Sequence, residues 1–206
     1  QVGAADLEAN KLWRVDCGSE LGLVRFRKDG RQWIVGHRDR RISFFDTQSS
    51  KLVVRLPLAM RPDYFCFKDN GGELFVSGEG SDGVAIVYPY WTEVAETILA
   101  GSGPAEMAAS PVAKDTPELL FVTNPKAGQL SIIHIESRKL AASLQMGAEP
   151  SYVAITPDNQ YILVLNKQSG DMAVLTQSAV RRAKFPTLLT MVPVGSKPVS
   201  AVVQAV

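Results

Sequence analysis

Few residues in this chain have the type and spacing to do chemistry, and most of the obvious groupings fail on inspection. Residues 37–41 read His-Arg-Asp-Arg-Arg, which contains the triplet of a kinase catalytic loop, but the Asn that such a loop needs downstream is missing. Apolar runs flank the segment, so it reads as a hairpin turn. Its Arg38, Arg40 and Arg41 either stay solvated or join Arg61 and Lys197 in a cationic rim. Residues 78–83, Gly-Glu-Gly-Ser-Asp-Gly, have neither the ligand spacing of an EF-hand calcium loop nor that of a Gly-rich phosphate motif, which leaves a flexible hairpin connection. Residues 101–107, Gly-Ser-Gly-Pro-Ala-Glu-Met, precede a strand pattern rather than a helix and are no dinucleotide fingerprint. Histidine is confined to His37 and His134, so no His-based metal site is expected and no cofactor is implied. No Gly-x-Ser-x-Gly or Ser-His-Asp spacing occurs, and Cys66 lies in an apolar strand that disfavours a thiolate. Cys17 and Cys66 are expected as free thiols.

What survives is a set of carboxylates, phenols and cations that recurs at one place in a repeat. Pro62, Pro104, Pro150 and Pro198 stand about 42, 46 and 48 residues apart, and Leu21 takes the same place about 41 residues earlier. After each marker comes an apolar triplet, a polar turn and an alternating apolar run. The copy starting at Leu120 (LFVTNPKAGQLSIIHI) can be laid over those starting at Trp33, Leu74 and Ile162. Each period holds four short strand patterns separated by Pro, Asn, Gly and Asp turns, and no stretch reads as a helix. An isolated four-stranded meander would leave both apolar faces wet, so the copies must stack face to face around an axis. The expectation is an all-β fold, a β-propeller of four-stranded antiparallel blades in one domain. Blades are expected at residues 18–58, 59–100, 101–146 and 147–194, with partial strands at 11–17 and 197–204.

Phe121–Asn124 (FVTN) and Gly147–Asn166 (GAEPSYVAITPDNQYILVLN) resemble the YVTN-type β-propeller repeat: Pro, a hydrophobic strand, a Ser/Thr-Pro-Asp-Gly turn, then Tyr-Val-x-Asn. The resemblance covers roughly residues 18–206. It departs at His37 and Gly78, which replace the Asn, and at residues 27–30, Arg-Lys-Asp-Gly, which replace the turn. It implies a ring that commonly closes with about seven blades. Closure then needs N-terminal blades outside this chain or a homo-oligomer, and a start at Gln1 rather than Met suits a mature or truncated product. The resemblance also implies a periplasmic or extracellular protein of the kind found on bacterial and archaeal surfaces.

In such a ring the residues around the Pro marker sit where the inner strands enter the central channel. The channel-mouth candidates are Glu20, Arg61, Asp63, Tyr64, Glu106, Tyr152 and Lys197, a mixture able to bind a polar ligand. Arg25 joins them. It takes a position held by small or apolar residues in the other copies, and its guanidinium needs a salt bridge or an opening onto the channel. The formal charge of +1 offers no global field for nucleic acid. The balance is uneven along the chain, with roughly ten Lys/Arg against three Asp/Glu in residues 25–61 and about ten Asp/Glu against two Lys/Arg in 63–118. No apolar run approaches the ~18 residues of a membrane-spanning helix, so no membrane insertion is expected. The functional expectation is a non-catalytic, exported scaffold that binds a protein or a small polar ligand. The alternative is a propeller enzyme of lactonase-like or quinoprotein-like type acting at the channel mouth.

Overall fold

Alternating Val, Ile, Leu and Phe in short runs, cut by residues that accept tight turns, leave the backbone little choice but antiparallel strands. The computed structural model describes residues 2–6, 11–18, 20–112, 116–176 and 185–203, and no helix occurs among them. A hairpin of β1 (Val2–Asp6) and β2 (Lys11–Val15) comes first, followed by four four-stranded meanders. The first sheet holds β3 (Leu21–Phe26), β4 (Gln32–His37), β5 (Arg41–Asp46) and β6 (Leu52–Pro57). The second holds β7 (Tyr64–Phe67), β8 (Leu74–Ser77), β9 (Gly83–Tyr88) and β10 (Glu93–Leu99). The third holds β11 (Met107–Ala109), β12 (Leu119–Asn124), β13 (Gln129–His134) and β14 (Lys139–Gln145). The fourth holds β15 (Pro150–Ile155), β16 (Tyr161–Asn166), β17 (Asp171–Thr176) and β18 (Thr187–Pro193).

The period-two alternation of a strand sends neighbouring side chains to opposite faces, and here both faces are used. Leu120 and Val122 of β12 pack with Phe75 and Ile86 between the second and third sheets. Leu119 and Phe121 of the same strand pack with Ile162 and Val164 between the third and fourth. A separate core joins Ile34, Ile42 and Phe44 to Leu74 and Val76. The sheets therefore stack as blades, and their first strands adjoin in series, β3 to β7, β7 to β11 and β11 to β15, forming an inner wall. The protein is an all-β propeller assembly.

The sites of departure from the repeat keep its geometry. In the turn after the first strand, Gly30 N donates to Arg27 O, Gly71 N to Lys68 O and Asn159 N to Thr156 O, each at 2.8 Å. The fourth turn position is left-handed in all three, with φ of 70° at Gly30, 73° at Gly71 and 57° at Asn159. A side-chain oxygen of Asp29, Asn70 or Asp158 accepts from the amide two residues on, so Arg-Lys-Asp-Gly builds the same turn as Thr-Pro-Asp-Asn. At the Asn position, buried Asn124 donates to Ser131 Oγ at 2.9 Å, while His37 Nε2 lies 2.8 Å from Ser43 Oγ. Gly78 stands there because nothing larger fits: its φ is 154°, and a Cβ would come within 1.9 Å of Arg61 O.

Of the two expected partial strands, the one at 11–17 is present as Lys11–Val15, paired antiparallel with Val2–Asp6, and the other needs correction. The expected strand at 197–204 is unpaired coil over residues 197–203, and residue 204 lies outside the described residues. An inner strand takes its ladder from the second strand of its own blade, and none lies beside this segment among the described residues.

Candidate functional site

The first strands place corresponding residues along the inner wall. Leu23 packs in the core between the first two sheets, Tyr64 in that between the second and third, and Tyr152 donates from its hydroxyl to Ala201 O at 3.1 Å. Leu23 and Tyr64 thus lean toward the following blade. Glu106 holds the same repeat position, so Tyr64 and Glu106 come together at the junction of the second and third blades. Both are half-buried, and neither the phenol nor the carboxyl has a hydrogen bond to a described residue. Burial holds the Glu106 carboxyl above its ordinary value, with the Arg25 charge pulling back only in part. Burial also raises the Tyr64 phenol, reinforced by Glu106 and Asp63. Arg25 is exposed and makes no ion pair among the described residues. Its Nη1 donates to Val24 O at 3.0 Å, so the guanidinium is solvent-exposed rather than salt-bridged.

The remaining candidates form the rim. Arg61 Nε donates to Asp63 Oδ1 at 2.7 Å and its Nη1 lies 2.7 Å from Glu79 Oε2, while Asp63 Oδ2 accepts from Glu79 N at 3.0 Å. Asp63 and Arg61 thus neutralise each other. Glu20 and Lys197 are exposed, with φ of 57° and 52°, and share this left-handed bend with Glu149 at 59° and Gly103 at 68°. Near Lys197 a cleft of about 390 Å³ is lined by Glu149, Lys167, Gln168 and Ser196. A cationic rim does not form as one surface, because Arg41 pairs with Asp39 and Arg61 with Asp63 and Glu79.

A further concavity, at the first strands, was not legible beforehand. It lies one layer below Tyr64 and Glu106, about 390 Å³, lined by Cys66, Phe67, Ala108 and Ile155 with Lys28 and Asp69 at its edge. The available signal was the alignment of these residues at the ends of successive first strands. Burial pushes the Cys66 thiol up to about 12, which disfavours the thiolate. Both cysteines are free. No group of three or more His, Cys, Asp or Glu that could hold a metal ion occurs among the described residues. The wall offers a protonatable carboxyl, a phenol and a guanidinium above an apolar hollow, which suits recognition of a polar group attached to an apolar body.

No protein-family model matches the chain, and no curated protein matches it in sequence. Solved structures match in fold. A functionally unknown protein from Desulfotomaculum acetoxidans superposes with a TM-score of 0.78 at 14% identity, over 95% of this chain and 63% of that one. The dihydro-heme d1 dehydrogenase NirN gives 0.74 at 14% identity, over 92% and 41%. A putative 6-phosphogluconolactonase from Bacteroides fragilis gives 0.71 at 17% identity, over 88% and 58%. The chain therefore spans roughly half the length of these neighbours, and the likeness is one of fold.

Proposed function

We propose that the chain is part of a non-catalytic, exported propeller of the YVTN type, which binds a small polar ligand on its inner wall at Tyr64 and Glu106. One observation carries this reading: both groups are half-buried at a blade junction, Glu106 within reach of the Arg25 charge, and neither has a hydrogen bond to a described residue. The YVTN assignment and export rest on the repeat residues at Phe121–Asn124 and Gly147–Asn166. We further propose that additional blades, from a longer polypeptide or a second copy, close the ring. The apolar far face of the fourth blade and the partial coverage of the longer structural neighbours support closure.

A thermal-shift screen of sugar acids, lactones, amino acids and nucleotides tests the ligand site. At least one compound is expected to stabilise the wild type, lose its effect in Glu106→Ala and keep it in Glu20→Ala at the rim. The reading fails when no compound separates wild type from Glu106→Ala. Glu106, as a carboxyl biased toward its neutral form, also favours the enzymatic alternative. Turnover of a lactone by the wild type, lost in Glu106→Gln, would replace binding with catalysis.

A further inference from the structure

The hairpin joining β9 to β10 differs from its counterparts. Residues 88–93 read Tyr-Pro-Tyr-Trp-Thr-Glu, whereas the same hairpin reads Asp-Thr-Gln-Ser-Ser-Lys at 46–51 in the first blade and His-Ile-Glu-Ser-Arg-Lys at 134–139 in the third. Tyr90 is 47% exposed and Trp91 74% exposed. Both faces of the second blade are already packed, so these rings are not waiting for a missing blade. A meander puts its first and third hairpins at the same end, here the end opposite the Pro-marked mouth. There the aromatic hairpin and the turn around Asn70 enclose a cleft of about 350 Å³, within the ~300–1,000 Å³ of small-ligand sites.

The cleft is held rigid from both sides. The Arg27 guanidinium from the first blade stacks 4.6 Å from the Tyr90 ring centre. From the third blade, Arg138 forms a two-pronged ion pair with Glu73 on the cleft floor. Trp91 and Tyr88 form an edge-to-face pair, with centroids 5.3 Å apart at 64°, the Trp91 amide donates to Tyr88 O at 3.2 Å, and the indole remains largely exposed.

Charge decides what such a surface accepts. Each cation here is matched: Lys68 Nζ lies 2.8 Å from Glu118 Oε2, Arg138 is on Glu73, and Arg27 Nη2 lies 2.7 Å from Asp29 Oδ2. An anion would find no unpaired partner. A cation would meet a Tyr90 ring that already carries Arg27, with Lys68 and Arg138 nearby. What is left is two exposed ring faces beside polar atoms free to bond. Asn70 accepts from Gly72 N through Oδ1, while its amide nitrogen and the Tyr90 hydroxyl have no hydrogen bond to a described residue. Flat apolar faces edged by donors and acceptors match a pyranose, which has an apolar C–H face and a ring of hydroxyls.

We propose that this cleft is a binding site for neutral carbohydrate, with Trp91 and Tyr90 as stacking platforms and Asn70 as the hydrogen-bonding edge. The site is separate from the inner wall, so Glu106→Ala leaves it intact. The test is calorimetric titration of the 206-residue chain with cellohexaose, chitohexaose, xylohexaose and maltohexaose, alongside a proline-rich decapeptide and a trimethyllysine peptide. Binding of at least one hexasaccharide is expected, weakened about tenfold or more by Trp91→Ala and less by Trp91→Phe. Asn70→Ala gives a second, independent loss at an exposed position. Trp91→Ala should melt with the wild type, because the indole is largely solvated. The proposal is overturned by no hexasaccharide binding, by binding that survives both Trp91→Ala and Asn70→Ala, or by binding of a peptide alone.

Discussion

The far faces of the third and fourth blades carry the same pattern and meet different surroundings. In the third, Phe121, Leu130 and Ile132 are fully buried against the fourth blade. Their repeat counterparts in the fourth, Leu163, Met172 and Val174, are only half-buried. In β18 every residue is exposed, Leu188 at 47% and Val192 at 37% among them. Apolar side chains at those positions gain nothing from facing water, so the patterning implies a covered face. A blade's local sequence makes the sheet, and the neighbour makes the core.

Cavity formation gives the widest contrast. Phe121→Ala is expected to cost about 3–5 kcal/mol and Leu163→Ala about 1 kcal/mol in urea denaturation of this chain. Equal losses would break the comparison and show the fourth blade's face to be covered in solution. Hydrogen exchange sharpens the same point, because a terminal unit couples to one neighbour only. Amides of β16 and β17 should exchange about tenfold faster or more than those of β12 and β13, a difference of ~1.4 kcal/mol; equal protection would contradict it.

Next in size is the repeat asparagine. Asn124 Nδ2 donates to Ser131 Oγ at 2.9 Å in a fully enclosed setting. Asn166 Nδ2 donates at 2.7 Å to Asp171 Oδ1, a half-exposed carboxylate that water can serve. Asn124→Ala is therefore expected to cost about 1–3 kcal/mol, and Asn166→Ala distinctly less. A reversed order in paired melts would place the stabilisation in the Asn side chain's own packing instead.

The fold was legible because a propeller writes its period twice, in the spacing of Pro62, Pro104 and Pro150 and in the two-faced alternation of residues such as Leu119–Val122. Departures at His37 and residues 27–30 broke the motif without breaking the turn, since Ser43 and Asp29 supply equivalent contacts, and at Gly78 the closeness of Arg61 O leaves no room for a side chain. Other features were hidden because they depend on partners remote in the chain. The β1 strand, Val-Gly-Ala-Ala-Asp, has almost no strand-forming residues and exists through its pairing with β2. The Arg61, Asp63 and Glu79 cluster needs two loops brought together, so two candidate charges, Arg61 and Asp63, serve each other and Glu79. The aromatic hairpin was visible as composition, but its cleft depends on Arg27 and Arg138 from the flanking blades.

The smallest expected effect also separates the two blades, through the sign of its pH dependence. Glu106, in the third, has its carboxyl raised by burial, so the fold favours the neutral form. Its contribution is fully present below the ordinary value of 4.5 and is lost as pH rises through the folded value. Asp158, in the fourth, is lowered by the Thr156 hydroxyl and the Gln160 amide, so the fold favours the charged form. Its contribution is present above the ordinary 3.8 and is lost as pH falls through the folded value. Subtracting the stability curve of Glu106→Gln from that of the wild type should give a difference that declines with rising pH above 4.5. The same subtraction for Asp158→Asn should give one that declines with falling pH below 3.8. Differences of the same sign would mean that Glu106 is solvated like an ordinary rim carboxylate, and the inner-wall site would lose the desolvated group on which it rests.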